Sequence, residues 1–139
     1  MNKRFTSYLG AALLVTLTTA FFAVPVALAD GSCDRDAKTI KLRIKQKNNT
    51  PTKVTKGFWG TNANTVHACH GDIIEWKLSG KKFYIKFPNK SPFGKDKETS
   101  SNGKLRITIS ESAETGVSYK YDIGIDGGGV WDPVIIIDR

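Results

Sequence analysis

Two cysteines, two histidines and a group of aspartates near a glycine run are the residues of this chain best suited to chemistry. Three of the four sulfur and imidazole groups fall in one tetrapeptide, His67-Ala68-Cys69-His70, and the fourth is Cys33. Thiolates and imidazoles bind zinc or copper. The cysteines show no Cys-x-x-Cys spacing, however, and two imidazoles with Glu75 or a nearby Asp fall short of the three or four donors a tight site wants. In an oxidising compartment two such cysteines form a disulfide by default. The expectation is a Cys33–Cys69 bridge with two surface histidines beside it. The alternative is a periplasmic copper-binding or electron-transfer protein that uses His67 and His70.

Asp122, Asp126 and Asp132 surround Gly127-Gly128-Gly129 and offer hard oxygen donors of the kind Ca²⁺ takes. Their spacing fits no EF-hand. Asp126-Gly127 is a hairpin turn signal, and Asp132 before Pro133 reads as a turn into a last strand. The chain has no Gly-x-Ser-x-Gly elbow and no phosphate loop, and nothing selects one serine as a partner for either histidine. A non-enzyme without a cofactor is expected.

Charge says more. Lysine and arginine number 21 against 13 acidic residues, a formal charge of +8. Lys41, Arg43, Lys45 and Lys47 alternate along one run, and Lys82, Tyr84, Lys86, Lys104 and Arg106 have the same outward phase on later runs. Outward neighbours two residues apart on a strand lie about 6.6–6.8 Å apart. If these runs are neighbours, the domain carries a basic sheet face for an anionic partner: lipid head groups, an acidic glycan or an acidic protein. The plainer reading is an ordinary soluble surface. Nucleic acid is not the expected partner of an exported domain without an aromatic stacking platform. Phe58-Trp59-Gly60 and Gly129-Val130-Trp131 set aromatics beside glycines. They are expected to plug an end of the fold rather than to anchor a ligand. Phe93, in Ser91-Pro92-Phe93-Gly94, either meets a ligand or folds back over the core.

The elements that must hold these residues begin after an address. Lys3 and Arg4 precede an uncharged apolar run, Leu9 to Leu28, that ends in Ala27-Leu28-Ala29. This is the three-part pattern of a secretory signal peptide, residues 1–29. The rival is an uncleaved membrane anchor. Residues 30–139 then form a single domain with a charge of about +6, secreted or periplasmic, with no membrane span left and monomeric. Its apolar residues alternate with polar ones at Thr39–Gln46, Phe83–Phe87, Leu105–Ile109 and Val117–Ile125. Ile73–Leu78 and Val134–Ile137 are further apolar runs, and Lys53–Phe58 and Thr65–Cys69 are weaker ones. Period two marks strands with one buried face. Pro88–Gly103 reads as a long loop, and Glu111–Thr115 as a site for one helical turn. The expected fold is all-β, an antiparallel sandwich of seven to eight strands.

Cys69-His70-Gly71-Asp72-Ile73-Ile74-Glu75-Trp76 resembles the G-D-x-V-x-W strand of cupredoxin-like domains, with Phe83–Phe87 at the distance of their next strand. Tyr119-Lys120-Tyr121 resembles their Y-x-Y strand, and Asp132-Pro133-Val134-Ile135-Ile136-Ile137 resembles the D-P-x-I-x-V ending of a metal-free branch. The resemblance covers roughly residues 38–139 and implies a Greek-key sandwich. In typical members it also implies copper held by one His after the first motif and by Cys, His and Met on a C-terminal loop. Those positions fail here. Lys81–Phe87 has no His, Asp122 and Ile123 follow Tyr121 without a Cys, and Gly127–Trp131 supplies neither His nor Met. The resemblance therefore implies the fold without the blue-copper site.

Overall fold

The computed structural model describes residues 33–139. The expected signal segment, residues 1–29, lies outside the described residues. Within them every regular element is a strand, and no helix is long and apolar enough to cross a membrane. The strands are β1 (Thr39–Lys47), β2 (Thr50–Lys56), β3 (Thr61–Asn62), β4 (Thr65–Ala68), β5 (Ile73–Lys77) and β6 (Tyr84–Lys86). They continue as β7 (Lys97–Thr99), β8 (Lys104–Thr108), β9 (Ser118–Lys120), β10 (Asp122–Gly124), β11 (Val130–Trp131) and β12 (Val134–Ile137).

Three sheets hold them, in the orders β3-β2-β1-β5-β8, β11-β10-β6-β7 and β4-β12-β9. Pairing is antiparallel except where β1 meets β5 and β12 meets β4. In β1 the alternation sends Ile40, Leu42 and Ile44 inward and Lys41, Arg43 and Lys45 outward. The inward side chains of all three sheets meet in one core. Trp76 and Tyr121 stand at its centre, fully buried. Trp76 Nε1 donates to Tyr121 Oη at 3.2 Å. Burial pushes the Tyr121 phenol well above its ordinary pKa, although the Trp76 hydrogen bond works against the rise. A fully buried apolar side chain contributes roughly 1.5–3 kcal/mol, and Trp76 meets Tyr121 and Phe93 edge to face in this centre.

The described residues form twelve strands, more than the seven to eight expected. The run Val117–Ile125 is two strands: Ser118–Lys120 pairs with β12, and Asp122–Gly124 pairs with β6 and β11. Between them the Tyr121 N–H donates to Pro133 O at 3.1 Å while its ring enters the core, so the chain changes sheets without losing its alternation. The expected loop Pro88–Gly103 contains β7, which pairs with β6. Phe93 within it is buried, edge-on to Trp76 and Phe87 at 5.9 and 5.4 Å. Residues 111–116 form turns instead of a helical turn. The Tyr119 hydroxyl accepts the Glu114 N–H at 2.7 Å and donates to Glu114 O at 3.2 Å, so the Glu114 backbone groups are satisfied without a helix.

Candidate functional site

Cys33 and Cys69 form a disulfide. Beside it the fold buries a charge and satisfies it. The Asp72 carboxylate is completely buried and accepts two bonds from Arg35, at 2.9 and 2.7 Å. The Lys38 and Cys69 N–H groups add bonds at 2.8 and 3.0 Å. Burial alone raises a carboxyl pKa, but the Arg35 guanidinium and these N–H groups outweigh it and hold Asp72 at about 2. Arg35 also reaches Cys69 Sγ at 3.3 Å. The Cys33 N–H donates to Arg139 O at 3.0 Å, which ties the disulfide end to the last residue of the chain.

The opposite arrangement holds on the outer face of the five-stranded sheet. Register places Arg43 opposite Thr55 on one side and opposite Lys77 on the other, and Lys77 opposite Lys104. Lys45 stands opposite Lys53. Like charges directly opposite on a sheet destabilise it. At the β8 side the repulsion is relieved, because Glu75 Oε2 takes Lys104 Nζ at 3.1 Å and Arg106 Nε at 3.4 Å. On β1, Lys41 stands opposite Glu75, but Arg43, Lys45, Lys53 and Lys77 have no carboxylate opposite them. Among the described residues, none of the ion pairs includes Lys41, Arg43, Lys45, Lys53 or Lys77.

The turn between β2 and β3 stands beside these cations. It is Gly57-Phe58-Trp59-Gly60, closed by the Lys56–Thr61 pair, and both glycines have positive φ (71° and 67°), a conformation other residues adopt at a cost. Phe58 and Trp59 are 86% and 91% exposed, with their rings edge to face at 5.3 Å. They do not plug the fold as expected, because the glycines carry them past the last ladder pair and away from the core. One groove of about 380 Å³ runs between this tip and Arg43, Lys45 and Lys53. A second, of about 350 Å³, runs between Phe58 and Lys41, Arg43 and Lys77, with Glu75 in its wall. Trp131, the other aromatic expected to plug an end, is partly buried against the core.

The face therefore unites Lys41, Arg43 and Lys45 but leaves out Lys82 and Lys86. Lys86 lies on β6, in another sheet, opposite Asp122 and Lys97, and Lys82 precedes that strand. Lys53, Lys77, Phe58 and Trp59 join the site from outside the expected set. The alternation around Lys53 and Lys77 made their outward phase readable, but only the register shows which cations they face.

His67 Nδ1 lies 2.8 Å from Asp138 Oδ1, and His70 Nε2 donates to Ala113 O at 2.8 Å. Each imidazole thus has its own partner. Among the described residues no group of three or more His, Cys, Asp or Glu is placed to hold a metal ion, the Asp122, Asp126 and Asp132 set included. A cleft of about 350 Å³ beside His67 is lined by Arg35, Lys38, Lys56 and Asp138, but Arg35 is already committed to Asp72 and His67 to Asp138. In comparisons with known proteins, no family model matches the chain, and no curated protein matches it at a significant level.

Proposed function

We propose that this is an exported, non-enzymatic, monomeric recognition domain of cupredoxin-like type without the blue-copper site, which binds an anionic partner through the outer face of β1, β2 and β5. The observation that carries the reading is the pair of unrelieved like-charge contacts, Arg43 with Lys77 and Lys45 with Lys53, beside the exposed Phe58–Trp59 tip. A fold that neutralises Lys104 and Arg106 with Glu75 has the means to neutralise its neighbours. Departures from local consistency concentrate at functional sites. An anion seated between the cations removes the repulsion, so binding and stability are linked, and a bound anion raises stability by mass action.

Several features support the cupredoxin-like assignment. Gly71-Asp72 leads into β5 with Trp76 buried at the core, and Asp132-Pro133 leads into β12. The chain leaves the β1–β2 hairpin and returns as β5 on the other side of β1, a non-sequential order in which β5 runs parallel to β1. The disulfide and the apolar N-terminal run support export.

Binding to an immobilised sulfated polysaccharide, used as a generic polyanion, tests the proposal. Retention is expected to fall steeply as salt rises, because the Debye length shortens from about 10 Å at 0.1 M to about 3 Å at 1 M. Retention that ignores salt would refute a charge-driven site.

A further inference from the structure

We infer that the Phe58–Trp59 tip and the cations beside it form a peripheral docking site for an anionic phospholipid bilayer. The inference rests on the anion-binding reading and names its partner. Five cations and two aromatics of opposite physical character share one surface: Arg43, Lys45 and Lys53 line the groove on one flank of the tip, and Lys41 and Lys77 join Arg43 on the other, where Glu75 is already paired with Lys104 and Arg106. A polyanion in solution uses the charges and gains little from two apolar rings held in water. A charged bilayer uses both. Its surface potential attracts the cations, and its headgroup boundary accepts Trp and Phe.

The geometry of the tip favours insertion over stacking. The two ring planes stand at 88°, so the pair forms a wedge and not a flat platform for a base or a sugar. A Cβ added at Gly57 or Gly60 would meet nothing within 4 Å, so the turn projects without neighbours. Neither signal suffices alone, since stable peripheral anchoring takes an apolar element together with a basic patch.

The test uses the protein purified after export, with its disulfide intact and its N-terminal residue determined, so that the apolar run 9–28 is not the anchor. Cosedimentation is measured with vesicles of phosphatidylglycerol and phosphatidylcholine and with phosphatidylcholine alone. Indole emission is followed in parallel. Trp76 is buried and Trp131 partly so, which leaves Trp59 as the reporter, and W59F checks the assignment. The expected result is binding to the anionic vesicles only, with a blue shift that W59F abolishes. K45Q/K53Q weakens binding by roughly thirtyfold, about fivefold per charge. F58S/W59S, which alters only exposed side chains, loses vesicle binding by roughly tenfold or more yet keeps polysaccharide binding. Equal binding of F58S/W59S and the parent protein to vesicles, or equal binding to both vesicle types, overturns the inference. Polysaccharide binding without vesicle binding overturns it and leaves the anion-binding site standing. Loss of both overturns the two together.

Discussion

Two regions of this molecule treat charge in opposite ways. At the disulfide end, the single Asp72 carboxylate is wholly buried and every approach to it is filled: two Arg35 nitrogens and two backbone N–H groups converge on it. On the outer face of β1, β2 and β5, Arg43 opposes Lys77 and Lys45 opposes Lys53, while the one carboxylate of β5, Glu75, is taken by Lys104 and Arg106. Burial makes the first arrangement obligatory, because an unpaired charge in the interior costs several kcal/mol. Exposure makes the second tolerable, because water screens each repulsion to a fraction of that. The contrast separates charge that serves the fold from charge that serves something outside it.

Breaking the satisfied end should have the largest effects. Replacing Cys33 and Cys69 by Ser removes a cross-link between residues 36 apart in sequence. On the chain-entropy relation this costs roughly 3–4 kcal/mol, measurable as a lower urea midpoint. D72N leaves Arg35 without its anion and is expected to cost about 3 kcal/mol at pH 7. Because Arg35 touches Cys69 as well as Asp72, the two losses should not add. Acid should reproduce part of the same loss. Asp72 sits at about 2 when folded against an ordinary 3.8, so its contribution is complete above about pH 4 and disappears as pH falls through about 2. The difference is roughly 2 kcal/mol, and a D72N melt series across that window should lack it.

Changes on the basic face should be smaller and opposite in sign. K53E places an anion opposite Lys45 and should stabilise the protein by about 0.5–1 kcal/mol while weakening anion binding. W59S touches a side chain outside the core and should leave stability within about 0.5 kcal/mol of the parent. A K53E protein that melts lower than the parent would erase the distinction between the two regions.

Much of this architecture was legible in the sequence. The alternation at Ile40, Leu42 and Ile44, and again at Leu105, reports a buried face directly, because period two follows from strand geometry. The disulfide followed from two cysteines and the expectation of an oxidising compartment. The sheet change at Tyr121 was not legible, since Tyr119, Tyr121 and Ile123 keep one phase across it. β7 was hidden because its three residues, Lys97-Glu98-Thr99, carry charge at a sheet edge and no apolar pattern. For the candidate site, Lys41, Arg43 and Lys45 were legible as a row. Their opposition to Lys53 and Lys77 depends on register, which hydrophobic pattern alone does not give for a parallel pair such as β1 and β5. Phe58 and Trp59 were expected to plug an end of the fold rather than to anchor a ligand, and only the position of the turn beyond the ladder puts them in water.

Stability and polyanion affinity, measured on the same K53E sample, decide most sharply whether the unrelieved charge serves a partner. Melting temperature is expected to rise while affinity falls, because Lys53 opposes the fold and serves the anion. Unchanged affinity, or a loss of both stability and affinity, would contradict that role.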